Sequence, residues 1–310
     1  MKTPSTMQDT MEITTAVGCP NACTICPQER FVGRYGQSGG TRRLSAERFR
    51  LCLDKIPRHV RIDFSGFTEP WSNPECTDMV LHAHAAGFHL AAFTTCVGMN
   101  ESDVERIRSV PFVAFVVHLP DSESVMPFPR VRNYKAVLKA VSASNLSNLA
   151  FMAMGMPHPD LQGLVPGDVS GCIRSGRAGN VTGSRPVRKA GPIRCIPSPN
   201  LRRNVLLPNG DVVLCCHDYS LENVLGNLLV CDYEDLFNGP TYKDILARQA
   251  RETAGGILCR RCDWSGSPLK ARSVWIREVF KESLQPIRQY AKRIYHSLPC
   301  PVKKSDRRRA

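Results

Sequence analysis

Cys19-Pro-Asn-Ala-Cys23-Thr-Ile-Cys26 is the stretch on which the reading of this chain turns. Three thiols fall within eight residues, spaced C-x3-C-x2-C. A β-rich run, Met11 to Val17, leads straight into it, and Gly18 and Pro20 then turn the chain. Such a loop can bring three thiolates onto one small inorganic centre. An ordinary four-iron cluster takes four cysteine thiolates. Three leave one iron without a protein ligand, and chemistry can occur at that open position. The competing reading is a structural zinc site. Zinc sites usually pair C-x2-C with a second C-x2-C or with H-x3-5-H, and no histidine lies near this triplet.

The 310 residues allow one large domain or two ordinary ones, and 42% hydrophobic content supports a substantial core. Fourteen cysteines would suggest disulfides in a short secreted chain. Here residues 1–10 are polar, with no apolar signal segment. No window approaches the ~20 apolar residues of a membrane span. The cysteines therefore read as reduced, cytoplasmic and partly metal-bound, and the Asn180-Val-Thr182 sequon carries no weight there. The net charge of +13 is uneven: from Lys270 onward twelve Lys/Arg face Glu278, Glu282 and Asp306, a net of +9 in the last 41 residues. The basicity belongs mostly to a tail and says little about an active site.

Along the chain, residues 11–17 read as a first strand, followed by the cysteine loop and a Gly/Arg-rich stretch to about Arg43. Ser45 is the expected N-cap of a helix through Asp54, with Phe49 and Leu53 on one face. Val60-Arg-Ile-Asp-Phe-Ser65 alternates as a strand does and runs into Gly66-Phe-Thr-Glu69-Pro70. Asn73 with Pro74 is expected to open a helix to about Ala86. Strands follow at 88–95, 112–118 and 149–154, with helices at 101–109 and 133–143. The Gly/Pro-rich region 155–192 leaves room for a sixth strand near 170–175 or 179–183. Alternating strand and helix argues for a parallel sheet with right-handed crossovers. Five or six units are too few for a closed eight-stranded barrel. Chemistry in parallel barrels sits at the C-terminal strand ends, where both the cysteine loop and the 66–70 motif leave their strands.

The C-x3-C-x2-C loop after strand 1 and the Gly66–Pro70 motif after strand 2 resemble the radical S-adenosylmethionine (SAM) superfamily. That resemblance implies an α/β fold, an open partial (β/α)6 TIM-like barrel. It also implies a [4Fe-4S] cluster on Cys19, Cys23 and Cys26 whose open iron is chelated by SAM. An electron from the cluster cleaves SAM to a 5′-deoxyadenosyl radical, which takes a hydrogen atom from the substrate. Gly66, Glu69 and Pro70 resemble the family's Gly-Gly-Glu-Pro signature, in which backbone and carboxylate hold the SAM amino group. The match is partial, because Phe67 and Thr68 fill the second and third positions. Ile25 stands where the family often has an aromatic residue. Thr94 and Thr95 at the end of strand 3, and His118 and Asp121 at the end of strand 4, are candidate contacts to SAM or substrate, as is the 175–180 turn.

Beyond residue 190 the pattern changes. Asn204-Val-Leu-Leu-Pro-Asn-Gly-Asp-Val-Val-Leu214 is a hairpin signal around Asn209-Gly210. A hairpin brings its flanks together, so Cys195 and Cys215 can lie close, and Cys259-Arg-Arg-Cys262 adds a C-x2-C pair. Four thiolates fill a tetrahedral zinc site or a fully ligated four-iron cluster. C-x14-G-x4-C followed by C-x2-C resembles the SPASM/twitch auxiliary-cluster domain, in its shorter form with one second [4Fe-4S] cluster. The spacing selects Cys215 over its neighbour Cys216. His217 and Asp218 are candidate base or supporting residues. The expected organisation is a barrel over 1–185, an auxiliary domain over 186–272 and a basic amphipathic helix and tail over 273–310.

For the tail, three roles compete: capping the barrel, peripheral contact with an anionic membrane, or contact with nucleic acid or an acidic partner. Nucleic acid is the least favoured of them. For function, the resemblance implies a radical SAM oxidoreductase that draws electrons from a donor such as flavodoxin or ferredoxin. Dehydrogenation of a sugar or aminocyclitol alcohol is one fit. Radical modification of a peptide side chain is the alternative, weakened by the ten residues before strand 1, too few for a leader-binding domain. A non-catalytic zinc protein binding nucleic acid through its tail explains Cys195, Cys215, Cys259 and Cys262 but not the three-cysteine loop. Loops 119–132 and 155–192 are expected to line the substrate pocket.

Overall fold

The first strand sets the pattern for the sheet. In β1 (Thr10–Ile13), Met11 and Ile13 are fully buried and join the main apolar cluster with Phe49 and Leu53. Glu12 lies between them and faces a cavity on the other side of the sheet. The computed structural model describes residues 8–38, 40–171, 175–251 and 256–278. After β1 come α1 (Gln28–Gln37), α2 (Ala46–Leu53), β2 (Arg61–Phe64), α3 (Cys76–Ala85), β3 (Leu90–Thr94), α4 (Glu101–Ile107), β4 (Ala114–Leu119), α5 (Tyr134–Ala143), β5 (Leu149–Ala153) and β6 (Ser170–Gly171). The C-terminal part contributes β7 (Arg194–Cys195), β8 (Arg203–Leu206), β9 (Asp211–Val213), β10 (Val224–Asn227), α6 (Asp235–Asn238), α7 (Pro240–Ala250) and β11 (Ser265–Gly266).

Strands β1 to β6 pair in parallel, each with the next, as the alternating pattern predicts. The sheet does not stop there. β8 pairs in parallel with the free edge of β1, in register Thr10 to Arg203 and Ile13 to Leu206. β9 and β10 continue it antiparallel, giving the order β10-β9-β8-β1-β2-β3-β4-β5-β6. The expected hairpin is present, with Gly210 at φ +90°. A side chain there would lie 2.7 Å from Asn227 Oδ1. The hairpin of the C-terminal part therefore extends the sheet beyond its six parallel barrel strands. An exposed β1 edge carries unpaired backbone groups, and β8 satisfies them.

Three local expectations change. The Gly/Arg-rich stretch after the cysteines forms α1, because Phe31 and Tyr35, four residues apart, are buried on one helical face. Gly33 and Gly36 cost the helix about 1 kcal/mol each relative to Ala, and that packing overrides the cost. Asn73 stands three residues ahead of α3, which begins at Cys76, and its Oδ1 accepts from Glu75 N at 3.0 Å as a cap would. Its amide nitrogen also reaches back across the fold, donating to Thr15 O at 2.9 Å and Leu44 O at 2.7 Å. The sixth strand lies within 170–175, while Arg177–Gly179 forms a short 3-10 turn. Ser45 caps α2 as expected, accepting from Arg48 N at 3.2 Å. Residues 268–278 are helical; the remainder of the expected basic helix and tail lies outside the described residues, as do Cys172 and Cys300. Among the described residues no helix is long and apolar enough to cross a membrane.

Candidate functional site

Two hydroxyls just past the end of β1 tie the first two strand-end loops together. Thr14 Oγ1 accepts from Phe67 N at 3.1 Å, and Thr15 Oγ1 donates to Pro70 O at 2.7 Å. These bonds hold the segment after β2 against the start of the cysteine loop. Gly66 sits between them at φ +73°, where a Cβ would come within 2.4 Å of Thr14 Oγ1. Only glycine permits this approach without strain. The cysteine loop turns at Gly18 (φ +93°) and Ala22 (φ +50°) and is tied to the loop after β4 by Thr24 N donating to Val125 O at 2.9 Å.

Glu69 is the most informative side chain in this region. It is 3% exposed, and its carboxylate accepts four hydrogen bonds. Thr94 Oγ1 donates to Oε1 at 2.6 Å, and Trp71 N does so at 3.2 Å. Thr95 donates to Oε2 from its backbone N at 2.6 Å and from its hydroxyl at 2.7 Å. Asn21 Nδ2, from the cysteine loop, backs that hydroxyl at 3.0 Å. All four donors are neutral, and burial raises the Glu69 pKa despite them. Thr94 is thereby placed as a support for Glu69; its hydroxyl also accepts from Cys96 N at 2.8 Å. Pro70 is buried and opens a short 3-10 turn behind the carboxylate.

Cys19, Cys23, Cys26, Gly66, Glu69, Thr94 and His118 all line one cavity of about 440 Å³ at the C-terminal ends of β1 to β5. Burial pushes the Cys19 thiol up to about 11 and the Cys23 thiol up to about 12, and the neighbouring thiols add to the second shift. Such thiols become ligands when a metal replaces the proton. Among the described residues no three Cys, His, Asp or Glu side chains sit close enough to share a single metal ion. Three thiols spread around a cavity wall suit a larger group, such as a cluster. His118 is held neutral, its pKa lowered to about 4 by burial first and by Arg177 second. Ile25 also lines the cavity. The expected substrate loops contribute Leu119, Val125 and Met126 from one, and Ser175 and Arg177 from the other. Asp121 is not part of the site: fully buried, it accepts from the backbone N of Glu123, Val125 and Met126 and shapes its own loop.

The second cysteine set surrounds a second cavity of about 320 Å³. β7 pairs with β11, with Cys195 opposite Ser265, and this brings Cys195 beside the Cys259–Cys262 turn. Arg260, wholly buried between those two cysteines, fixes the turn from behind. Its guanidinium donates to Lys189 O and Gly191 O at 2.9 Å, to Arg248 O at 2.7 Å, and to Arg251 O. Cys215 completes the lining with Leu201, Leu214, Leu258 and Trp264. Cys215 and Cys216 differ in their neighbours. The charge neighbours of Cys215 include Cys259, while those of Cys216 are Glu12, Arg177 and Arg203. His217 Nδ1 lies 3.4 Å from Cys262 Sγ, whereas Asp218 serves its own loop, accepting from Glu222 N at 2.9 Å and Asn223 N at 2.8 Å.

Glu12, Arg203, Cys216, His217 and Trp264 line both cavities and form the wall between them. Of these, the sequence reading did not single out Glu12, Arg203 or Trp264. A lone acidic residue between Met11 and Ile13 is the one signal that pointed to Glu12. Tyr219 was also missed. It is 2% exposed and accepts from Arg177 Nη1 at 2.8 Å, and its hydroxyl lies 3.7 Å from Cys26 Sγ. Nothing local marks it, because the contact joins residues 193 apart.

Residues 195–263 match the SPASM family, an iron–sulfur cluster-binding domain. No curated protein sequence matches the chain. Several solved structures share its fold. The crystal structure of BtrN in complex with AdoMet and 2-DOIA matches with a TM-score of 0.58 at 13% identity, over 83% of this chain and 93% of that one. Streptococcus suis SuiB bound to precursor peptide SuiA matches with a TM-score of 0.54 at 13% identity, over 84% and 70%. Native anSMEcpe with bound AdoMet and Cp18Cys peptide matches with a TM-score of 0.52 at 10% identity, over 91% and 99%. The chain thus has the fold of the radical SAM enzymes, a partial barrel, and carries a SPASM-family iron–sulfur cluster-binding domain over residues 195–263.

Proposed function

We propose that this chain binds SAM and a [4Fe-4S] cluster in the barrel-end cavity and oxidises a substrate alcohol, with the second cysteine set holding an auxiliary cluster as electron acceptor. The observation that carries this reading is Glu69: a buried carboxylate with four neutral donors and no ion pair among the described residues, lining the same cavity as three thiols. Burying such a group is costly unless a cation completes it, and the ammonium of SAM supplies one.

In this reading Cys19, Cys23 and Cys26 would hold the cluster, and SAM would take the position that three thiolates leave open. Glu69 accepts the SAM ammonium, and Thr94 and Thr95 fix the carboxylate so that little reorganisation is needed. Gly66 lets its segment lie against Thr14. Ile25 gives the adenine an apolar contact. Leu119, Val125, Met126 and Met152 wall the cavity with apolar surface, which limits water around a reactive radical. When bound, the cluster and SAM supply a 5′-deoxyadenosyl radical that takes a hydrogen atom from the substrate carbon. The neutral His118 imidazole is positioned to bond a substrate hydroxyl. Cys195, Cys215, Cys259 and Cys262 hold the acceptor behind one layer of side chains. Loss of the hydroxyl proton to solvent and of one electron to that acceptor would then turn the substrate radical into the carbonyl. Flavodoxin or ferredoxin is the proposed electron donor, and the cytoplasm, where thiols stay reduced, the proposed location.

Anaerobically reconstituted protein, supplied with SAM and reductant, tests this directly. 5′-Deoxyadenosine formation should rise with a member of a sugar and aminocyclitol panel, and that substrate should be recovered oxidised. The fold match to the peptide-bound forms of SuiB and anSMEcpe favours peptide side chains as the second reading. If only peptides stimulate turnover, the alcohol reading fails and the second replaces it.

A further inference from the structure

Tyr219 lies in the SPASM-matched region, yet it reaches the first cysteine site. It comes after β9 and is packed by the barrel: its ring centroid is 4.7 Å from that of Phe67, between Gly66 and Glu69. Its hydroxyl sits between two groups. Arg177 Nη1 donates to it at 2.8 Å, and Cys26 Sγ is 3.7 Å away. Arginine has no acceptor, so the phenol oxygen accepts from Arg177 and its proton is free to point at Cys26. Arg177 itself is held by the left-handed turn 177–178 (φ +45° and +55°) and lies 5.2 Å from the tyrosine ring. Gln28 Nε2 is the second donor to Cys26, at 3.6 Å, and belongs to the barrel.

We propose that Tyr219, polarised by Arg177, donates a hydrogen bond to the Cys26 thiolate of the SAM-binding cluster and raises the reduction potential of that cluster. The inference rests on the assignment of Cys26 as a cluster ligand. Hydrogen bonds to cluster sulfurs and nearby charge are among the factors that set such potentials. Reduction adds negative charge that is shared by the thiolates, so a donor backed by a guanidinium stabilises the reduced state more than the oxidised one. Tyr219 is a positioning and tuning residue, without contact to substrate in this account. It makes the first cluster sensitive to the seating of the C-terminal part: if the β9–β10 loop is displaced, the donor leaves with it.

The test is Tyr219→Phe in the full chain with both clusters reconstituted, then redox titration monitored by electron paramagnetic resonance. Phenylalanine keeps the ring against Phe67 and removes only the hydroxyl. SAM addition identifies the first cluster, because only its signal should respond. The expected result is about a tenfold lower reduced-to-oxidised ratio of the first cluster at a fixed potential, which is 59 mV for a one-electron couple. The auxiliary signal should stay put. Arg177→Met should shift the first cluster in the same direction with Tyr219 intact. An unchanged first cluster in Tyr219→Phe, or equal shifts at both clusters, would overturn the proposal. Loss of iron from the first site in Tyr219→Phe would overturn it too, because Tyr219 would then be a structural prop. Failure of SAM to perturb either signal would point instead to the underlying cofactor assignment.

Discussion

The two cysteine cavities use the same donor atom but differ in the number of thiols and in what stands beside them. The barrel-end cavity has three candidate thiols beside Glu69, Thr94, His118 and Arg177, with Leu119, Val125, Met126 and Met152 as its apolar wall. The second has four candidate thiols beside Leu201, Leu214 and Leu258, and its polar lining is Ser198, Ser265 and the Glu12, Arg203 and His217 that it shares with the first. A missing thiol beside a buried, cation-seeking carboxylate describes a centre built to bind something. A full set of four thiols describes a centre with no open ligand position, suited to holding an electron. They share one wall, and that wall exists because β8 joins the edge of β1.

That contrast can be broken most severely at the first site. Replacing Cys19, Cys23 and Cys26 together with alanine should abolish 5′-deoxyadenosine formation and leave the second cluster in place. Bound iron should fall from about eight to about four per chain. If both clusters are lost, the two sites are not independent. Next in size is the choice between adjacent thiols. Cys215→Ser should remove the auxiliary cluster, whereas Cys216→Ser should retain it, because Cys259 is among the charge neighbours of Cys215 while those of Cys216 are Glu12, Arg177 and Arg203. Iron content of the two variants decides it, and the reverse pattern would reassign the ligand.

Glu69→Gln sharpens the comparison without disturbing the thiols. The amide keeps the shape but loses the charge that a SAM ammonium would meet. A hydrogen bond to a charged group is worth about 1.5–3 kcal/mol, so SAM should bind roughly ten- to hundredfold more weakly. Equilibrium binding to reconstituted protein measures this, with iron content as the control. Unchanged affinity would remove Glu69 from the site. The smallest effect is expected from Gly66→Ala. Its left-handed backbone and the 2.4 Å approach to Thr14 Oγ1 should cost about 1–3 kcal/mol. Thermal unfolding should show a lower Tm, with the second cavity unaffected.

Much of this was legible because short-range spacing carried it. Cys19, Cys23 and Cys26 fall on one turn-rich loop, so their convergence needs no long-range contact, and the Gly66 to Glu69 motif comes directly after its strand. Strand–helix alternation fixed the parallel sheet because each apolar strand needs cover on both faces. Sequence failed where distant segments decide the outcome. Nothing in Arg203–Leu206 announces that it will pair with β1, some 190 residues earlier, rather than fold with its own domain. The α1 helix was hidden by Gly33 and Gly36, whose local preference is overridden by the burial of Phe31 and Tyr35. Asn73 makes the cap-like bond to Glu75 N that its local pattern announces, but the bonds of its amide nitrogen to Thr15 and Leu44 could not be read from that pattern. Tyr219 and Arg177 could be found only by seeing what surrounds Cys26.

The most direct test of the account is iron and acid-labile sulfide per chain on anaerobically reconstituted protein. Two four-iron clusters predict about eight irons and a matching amount of sulfide, in brown, air-sensitive protein. Zinc at both sites, in colourless protein without sulfide, would contradict the account at its centre.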